Sequence, residues 1–323
     1  MTGPLLEVRN LGVRFATPGG DVCAVDDLDF SLTRGETLGL VGESGSGKTQ
    51  AAHAVLGLLP DNGRATGSAR LDGREILHLP EKQLNEIRGC EIGFVFQDPM
   101  SSLNPHLRID RQLTEALVAH RPVTGRQARE AARSMLDAVH LPSAAAVLRA
   151  WPHELSGGMR QRVMIAMALI CRPRVLIADE PTTALDVTVQ ARILELLAEL
   201  RREFALALLL ITHDLGVVAG TCDRVLVLYG GREMEEGSTD DIFYRSRHPY
   251  TRALLAALPR FDADGCSRMT PIPGQPPSLL EPMPGCPFEP RCDYRLERCT
   301  HARPPLERVA PGQRKACHRE LAP

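Results

Sequence analysis

The chain has 323 residues, 43% of them hydrophobic, and a formal net charge of −2 at pH 7. This length suits one large domain or two modest ones, and the apolar content is sufficient for a sizeable core. The nearly balanced charge argues against a broad nucleic-acid-binding surface. Apolar stretches such as residues 204–211 are too short to cross a bilayer, and the first residues lack the basic and apolar regions of a signal peptide.

The first part of the chain is predicted to be rich in strands. Residues 6–15 alternate well enough for an edge strand, residues 18–21 supply turn chemistry, and residues 22–32 continue as strand. Residues 64–75 are typical of a hairpin with Asp72-Gly73 at its turn. A glycine-rich motif lies between these strands.

Residues 42–49 match the phosphate-binding motif G-x-x-x-x-G-K-[ST] at every position. A short buried strand at residues 36–41 precedes the motif, and a helix at residues 49–58 follows it. Glycines let backbone N–H groups close around phosphates, and the helix presents its positive N-terminus. Lys48 is expected to reach the β- and γ-phosphates, and Thr49 to bind Mg²⁺. The candidate nucleotide-binding residues of this phosphate loop are Gly42, Glu43, Ser44, Gly45, Ser46, Gly47, Lys48 and Thr49.

The rest of the chain alternates between strands and helices. A strand at residues 92–96 leads into Gln97, and the pattern then becomes helical as far as about Glu154. Within this stretch, residues 126–139 carry apolar side chains at helical spacing. A further helix is expected at residues 156–170. Short buried strands are expected at residues 176–178, 208–212 and 225–229.

Six motifs occur in a fixed order along the chain. They are the phosphate loop, Gln97, Leu155-Ser156-Gly157-Gly158, the buried strand that ends in Asp179-Glu180, Ala184-Leu185-Asp186, and His213. Together they resemble the nucleotide-binding subunit of ABC transporters over about residues 5–235. The resemblance implies an α/β fold, a P-loop NTPase of ABC type with an antiparallel β-subdomain and an α-helical subdomain at about residues 98–155. The sequence shows no second phosphate loop, so the chain is expected to pair with another copy or a paralogue.

The resemblance assigns roles in ATP hydrolysis to a set of polar residues. Asp179 is expected to hold Mg²⁺ through water, and Glu180 to polarise the attacking water as general base. His213 is expected to contact the γ-phosphate, and Gln97 to touch Mg²⁺ or the water. Catalysis is thus assigned to Glu180, His213 and Gln97, and Mg²⁺ binding to Thr49, Gln97 and Asp179.

The signature segment is expected to act on the opposing subunit. By resemblance, Ser156, Gly157 and Gly158 face the γ-phosphate that the partner binds, because a helix N-terminus aims N–H groups and a positive dipole at an anion. Asp186 belongs to the loop that crosses to the partner. Met159 stands where the family commonly has Gln, a departure that also occurs in its peptide-importer branch.

The adenine ring is expected to stack on an aromatic side chain of the first strand, as in the family. Phe15 is the candidate for this role. The alternative is that Phe15 is a core aromatic residue, since the insert at residues 16–21 blurs the alignment. Both interpretations stay open at this point.

The composition shifts after about residue 255. Residues 1–255 are assigned to the nucleotide-binding domain, and residues 256–323 to a C-terminal extension with a Pro-rich linker at residues 271–278 and a tail of little periodicity. Four of the nine cysteines crowd the last 38 residues with the spacing C-x₅-C-x₆-C-x₁₇-C, namely Cys286, Cys292, Cys299 and Cys317. Disulfides are rare in cytosolic proteins, and no pair has the C-x₂-C spacing of zinc ribbons. A [4Fe–4S] cluster, a structural zinc and unligated thiols are therefore all open.

Three segments resemble one branch of the family, the dipeptide and oligopeptide importer ATPases. They are residues 97–105, residues 248–255, and the extension with its linker. With them the resemblance covers nearly the whole chain. In that branch the tail holds an iron–sulfur cluster, so the resemblance implies ATP, Mg²⁺ and a [4Fe–4S] cluster as bound groups.

The resemblance implies the ATP-binding and hydrolysing subunit of a di- or oligopeptide importer, peripheral on the cytoplasmic face of the inner membrane. Its expected partners are two transmembrane permeases, a second ABC ATPase subunit (a paralogue or a second copy) and an extracytoplasmic peptide-binding protein, with no nucleic acid. The rival is a soluble ABC ATPase that acts on DNA or ribosomes, whose relatives carry long insertions or two cassettes. Only 59 positions separate Gln97 from Ser156 (156 − 97), which suits a transporter. Nickel and glutathione stay open as alternative cargoes.

Overall fold

A computed structural model describes residues 3–183, 185–258, 271–280 and 283–321. These residues form two compact units. The first unit comprises the residues up to Leu5, residues 32–36 and residues 79–211; the second comprises residues 6–31, residues 37–78 and the chain from Thr212 onward. Within the described ranges, every helix is either too short or too polar to cross a bilayer.

The regular elements are numbered in chain order. The strands of the described residues are β1 Leu6–Thr17, β2 Gly20–Leu32, β3 Thr37–Val41, β4 Gly63–Leu71, β5 Arg74–Glu75, β6 Ile92–Val95, β7 Val175–Asp179, β8 Ala207–Thr212, β9 Arg224–Tyr229, β10 Arg232–Ser238, β11 Glu307–Ala310 and β12 Gln313–Lys315. The α-helices are α1 Lys48–Val55, α2 Glu81–Ile87, α3 Pro99–Ser102, α4 Ile109–His120, α5 Gly125–Ala138, α6 Ala144–Arg149, α7 Gly157–Leu169, α8 Val187–Phe204, α9 Leu215–Ala219, α10 Thr239–Tyr244, α11 Pro249–Ala256 and α12 Arg298–His301.

The first unit contains a parallel β-core. Strand β7 pairs in parallel with β6 on one side and with β8 on the other. Every residue of β7 and β8 is buried, which explains why both strands are continuous apolar runs rather than alternating ones. The strands predicted from these runs are confirmed, each with bounds that differ by one residue.

Helices α3 to α6 of the first unit lie within residues 98–155 and confirm the predicted α-helical subdomain. Helix α5 begins with a capping box, in which Thr124 and Gln127 satisfy each other's backbone N–H groups. Its apolar face is buried through Ala128, Ala132 and Leu136, as the helical spacing predicted. The capped, one-sided helix therefore follows from local sequence alone.

The second unit contains an antiparallel sheet in the order β2-β1-β4-β5. Strands β1 and β4 pair antiparallel from Leu6 opposite Leu71 to Phe15 opposite Gly63, with a register shift between Arg9 and Gly12. Asp72 and Gly73 have φ values of 51° and 81°, the left-handed geometry of a tight hairpin turn. The hairpin predicted at residues 64–75, and with it the antiparallel β-subdomain, is confirmed.

Five further strands of the second unit are hydrogen-bonded in the order β11-β12-β10-β9-β3. Strand β3, which leads into the phosphate loop, pairs in parallel with β9, and β9 pairs antiparallel with β10. Strand β12 then pairs antiparallel with β10 through Lys315 opposite Glu235. The C-terminal tail thus contributes two strands to this sheet, although its sequence has little periodicity.

Main-chain pairing and a few buried side chains order the tail in place of a core of its own. The Glu235 carboxylate of β10 is fully buried, and it accepts hydrogen bonds from the backbone N–H groups of Arg247 and His248 and from the Gln313 side chain of β12. Burial, reinforced by Glu236 and opposed by Arg314, also raises the pKa of Glu233 to about 8. Strand β10 has the charged composition of a surface segment, yet it is buried and pairs with strand β12 of the tail.

Candidate functional site

The phosphate loop, residues 42–49, connects β3 to α1 and lies wholly in the second unit. Two of its glycines are required by close contacts with neighbouring backbone. A Cβ on Gly42 would lie 2.1 Å from the Leu228 carbonyl oxygen, and one on Gly47 would lie 2.2 Å from the Ala24 carbonyl oxygen. Gly47 also has a φ of 100°, a conformation that side chains rarely adopt. The loop backbone is therefore shaped as the phosphate-binding motif predicts.

Lys48 is 5% exposed and is the first residue of α1. Its Nζ donates to the carbonyl oxygens of Gly42 (2.8 Å) and Glu43 (2.9 Å) and to Ser46 Oγ (3.3 Å). The ammonium is thus folded back across the mouth of its own loop. A cation held by carbonyl and hydroxyl oxygens at a helix N-terminus fits the β- and γ-phosphates of a nucleotide.

Two further predicted residues of the second unit can be located. Thr49 directly follows Lys48 in the first turn of α1 and is half-buried, so its side chain lies at the end of the phosphate loop. Phe15 of β1 is half-buried, and its Cε1 lies 2.8 Å from the position that a Cβ on Gly63 would take. The ring of Phe15 therefore packs over Gly63, and its stacking on adenine stays a prediction. Helix α1 ends at Val55, earlier than the predicted residue 58.

In the first unit, β7 ends in the two predicted carboxylates. Asp179 is 2% exposed, whereas Glu180 is only partly buried and directly follows the strand. Glu180 Oε2 accepts from Gln97 Nε2 (3.0 Å) and from Thr183 Oγ1 (2.8 Å). The structure thus brings together Gln97 and Glu180, which are 83 positions apart in the sequence.

The backbone of Glu180 is strained. Its φ is 46°, in the left-handed region, and its N–H donates to the Ile211 carbonyl oxygen of β8 at 2.9 Å. Non-glycine residues in this region cost free energy and persist where the surroundings hold them, often at functional sites. This geometry, together with the two donors to its carboxylate, fixes the direction of the Glu180 side chain. His213, the other predicted catalytic residue, is exposed and follows β8 directly.

The signature residues form the N-terminus of α7. Ser156 is the N-cap and its side chain accepts from the Met159 N–H, while Gly157 and Gly158 are the first two helical residues. Ser156 and Gly157 are exposed, and a Cβ on Gly158 would lie 3.0 Å from a methyl group of Val189. This end of α7 therefore presents N–H groups toward the outside of the unit, as the predicted interaction with a partner's phosphate requires.

Asp186 has a role in the chain itself that the sequence analysis missed. It is the N-cap of α8, and its side chain accepts from the Val189 N–H at 3.0 Å. An aspartate at this position stabilises the start of a helix. That Asp186 belongs to a loop that crosses to the partner stays a prediction. Ala184 of the same motif lies outside the described residues.

The four cysteines of the tail share one electrostatic neighbourhood. Burial raises the pKa of the Cys286 thiol to about 12 and that of Cys292 to about 11, and in both cases neighbouring tail thiols raise the pKa further. The sulfurs accept backbone N–H groups: Cys299 from Leu296 and Cys317 from Arg319, each at 3.4 Å. Nevertheless, no three Cys, His, Asp or Glu side chains of the described residues are placed to hold a metal ion. The donor chemistry fits a metal–thiolate group, whereas the positions of the sulfurs do not.

The eight cysteines within the described ranges are free thiols in this structure. Cys266 lies outside those ranges.

A group of residues near the phosphate loop was not predicted. Glu43 of the loop binds the Arg291 side chain of the extension and the Tyr250 hydroxyl of α11. Because 248 positions separate Glu43 from Arg291, no local sequence pattern predicts this contact. The only signals in the sequence are the motif that places Glu43 in the loop and the position of Arg291 beside Cys292.

The geometry of both units is that of an ATP-binding cassette. The family model described as ABC transporter matches residues 25–183, and that described as oligopeptide/dipeptide transporter, C-terminal region, matches residues 234–299. A dimeric structure of the bacterial ABC transporter cassette MJ0796 is similar, with a TM-score of 0.65 and 28% identity over 72% of this chain and 98% of that one. A post-hydrolysis structure of the same cassette holds ADP and Pi and matches equally well.

Curated relatives extend the match to nearly the whole chain. The oligopeptide transport ATP-binding protein OppD of Salmonella typhimurium is 59% identical over 98% of this chain and 94% of its own length. The dipeptide transport ATP-binding protein DppD of Bacillus subtilis is 48% identical over 96% of this chain and 90% of its own length. The chain therefore belongs to the oligopeptide and dipeptide transport ATP-binding proteins of the ABC transporter family.

Proposed function

We propose that this chain is the ATP-binding and hydrolysing subunit that powers the import of di- or oligopeptides through partner permeases. The observation that carries the proposal is the likeness to oligopeptide transport ATP-binding proteins, which spans 98% of the chain and includes the C-terminal region as well as the cassette. A soluble ATPase acting on DNA or ribosomes would share the cassette alone. The chain would sit at the cytoplasmic face of the membrane beside two permeases, a second ATPase subunit and an extracytoplasmic peptide-binding protein.

The proposed chemistry follows from the residues already located. The phosphate loop and Lys48 bind the phosphates of ATP, and Glu180 polarises the attacking water with Gln97 holding its carboxylate. Asp179 and Thr49 would hold Mg²⁺, which neutralises charge on the phosphate oxygens when bound. His213 contacts the γ-phosphate, and Ser156 with Gly157 and Gly158 completes the site of the opposing subunit. 

We assign residues 1–255 to the nucleotide-binding domain, with a helical subdomain at about residues 98–155, and residues 256–323 to the C-terminal extension.

The test is reconstitution. The chain is co-expressed with the proposed partner permeases and second ATPase, and the assembly is placed in vesicles containing ATP. ATP hydrolysis is expected to rise when a peptide-loaded binding protein is added outside, and labelled peptide is expected to accumulate inside. Nickel and glutathione, each with its own binding protein, serve as competing cargoes. Co-purification with ribosomes or DNA in place of permeases would overturn the proposal.

We also propose that Cys286, Cys292, Cys299 and Cys317 hold a [4Fe–4S] cluster. The support is that the four thiols lie near enough to act on one another, together with the backbone N–H groups directed at their sulfurs, which are the hydrogen bonds that stabilise thiolates. Because the sulfurs are not placed as a metal site, the proposal requires them to approach one another when the cluster assembles. Structural zinc is the competing occupant.

The cluster is tested by anaerobic purification. The protein is expected to be brown, with a broad absorption shoulder at roughly 400 nm and about four irons per chain. Cys292→Ser should bleach it, while Cys90→Ser, which replaces a half-buried thiol outside the tail, should leave the colour unchanged. A colourless protein with one zinc per chain would replace the cluster by zinc, and a metal-free tail that stays ordered would remove both.

A further inference from the structure

The phosphate loop is tied to the C-terminal extension by a partly buried ion pair. Arg291 Nη1 lies 2.6 Å from Glu43 Oε2, and Arg291 Nη2 donates to Glu43 Oε1 at 3.1 Å. The Arg291 side chain is only 4% exposed and that of Glu43 is 25% exposed. Two parallel N–H···O bonds make a bidentate pair, which fixes orientation as well as distance.

The Arg291 guanidinium also donates hydrogen bonds to three residues other than Glu43. Its Nε donates to the Pro273 carbonyl oxygen (2.8 Å), Nη2 to the Ile272 carbonyl oxygen (3.1 Å) and Nη1 to the Tyr229 hydroxyl (3.0 Å). The guanidinium also lies 5.7 Å from the centre of the Tyr229 ring. The side chain therefore connects the Pro-rich segment, the end of β9 and the phosphate loop at one point.

The backbone of Glu43 is also held by hydrogen bonds. Its N–H donates to the Tyr250 hydroxyl at 2.9 Å, and its carbonyl oxygen accepts from Lys48 Nζ at 2.9 Å and from the Ser46 N–H at 3.2 Å. The carboxylate and the N–H of this residue are thus bound by groups that follow the cassette motifs in the chain. Its carbonyl oxygen positions the lysine that the motif assigns to the phosphates.

An aromatic cluster makes this support rigid. The ring centres of Tyr229 and Tyr250 lie 4.4 Å apart, and Phe288 packs on both at 5.4 Å and 5.2 Å. Phe288 is 2% exposed and immediately precedes the 3₁₀ turn Glu289–Arg291. The buried ring anchors the turn, and the turn aims Arg291 at the loop.

A gain in folding stability does not by itself explain why this ion pair is present. Removing a guanidinium and a carboxylate from water costs about as much as their attraction returns, and apolar replacements are often equally stable. A bidentate contact to the second residue of a phosphate loop does, however, restrict where the loop backbone lies. When binding groups already hold the bound conformation, less conformational entropy is lost on binding, and the ligand binds more tightly.

We propose that Arg291 is a positioning residue for ATP binding. Through Glu43 it holds the phosphate loop, and with it the carbonyl oxygens that orient Lys48, in the conformation that receives the nucleotide. The C-terminal extension is accordingly part of the nucleotide site of this chain. The proposal rests on ATP binding at the phosphate loop, which Lys48→Ala tests separately.

The test compares full-length variants. Arg291→Met, which keeps the length of the side chain, is expected to weaken ATP binding by the isolated chain about tenfold, within the usual range of coupling between two groups. In the assembled transporter it should raise KM for ATP with much less effect on kcat. Arg308→Met is the matched control, because Arg308 is an exposed arginine of the same extension and its side chain donates to Ala310 of its own strand, β11. It should leave both values unchanged.

Glu43→Gln breaks the bidentate contact from the side of the loop, because an amide offers one acceptor oxygen in place of two, and it leaves the extension untouched. It should weaken ATP binding to a similar degree, and the double variant should be no weaker than either single one. Arg291→Lys, which keeps the charge but not the bidentate geometry, should recover part of the affinity. Normal ATP affinity in Arg291→Met or Glu43→Gln, or fully additive losses in the double variant, would overturn the proposal. If Arg291→Met does not fold, Glu43→Gln and Arg291→Lys decide the question.

Discussion

Replacing Glu180 with glutamine is expected to lower ATP turnover by about 10²-fold or more while ATP binding is kept. General-base work typically contributes a factor of this size, and an amide cannot accept the proton of the attacking water. Glutamine has nearly the shape of glutamate, so the hydrogen bonds from Gln97 and Thr183 to its side-chain oxygen can persist. The variant should therefore stay folded and hold ATP, and it should accumulate as an ATP-bound dimer.

The measurement is phosphate release by the assembled transporter, with nucleotide affinity and dimer formation followed in the isolated chain. Glu195→Gln is the control for loss of one negative charge, because Glu195 is an exposed residue of α8 that has no assigned role in hydrolysis. Near-normal turnover in Glu180→Gln would contradict the assignment of Glu180 as general base. A variant that hydrolyses slowly because it fails to bind ATP would contradict it as well.

The parts that the sequence predicted well are those in which function or burial depends on contiguous residues. The phosphate loop requires glycine at fixed positions, because Gly42 and Gly47 face backbone oxygens within about 2 Å of a hypothetical Cβ. Strands β7 and β8 are buried at every residue, so each appears as an unbroken apolar run. The helical spacing of α5 and the turn at Asp72-Gly73 are likewise local signals.

The parts that were missed depend on residues far apart in the chain. Strand β10 has the composition of an exposed segment, and Glu235 is fully buried because β12 pairs with this strand and because Arg247 and His248 donate to the carboxylate. The order of the tail depends on Phe288, a single aromatic residue in a segment with little periodicity, packing on Tyr229 and Tyr250. Spacing along the sequence carries no information about such pairings. The contact between Glu43 and Arg291 belongs to the same class.

The signature segment and the phosphate loop are expected to fail in different ways when altered. Lys48→Ala removes the cation that faces the β- and γ-phosphates, so ATP binding by the isolated chain should weaken by roughly 10- to 100-fold, since hydrogen bonds to charged groups contribute about 1.5–3 kcal/mol. Ser156→Arg places a bulky side chain at the exposed N-cap of α7. It should leave ATP binding by the isolated chain nearly intact and block closure against the partner.

The two variants together distinguish a site completed in trans from one completed within the chain. Nucleotide affinity is measured on the isolated chain, and ATP-dependent dimer formation is measured with the hydrolysis-deficient Glu180→Gln background. Lys48→Ala should lose both properties, because closure depends on bound ATP. Ser156→Arg should lose only dimer formation, because the N–H groups at the start of α7 act on a phosphate held by the other subunit. Equal loss of ATP affinity in both variants would show that the signature helix helps to bind the nucleotide of its own chain, and the trans assignment would then be wrong.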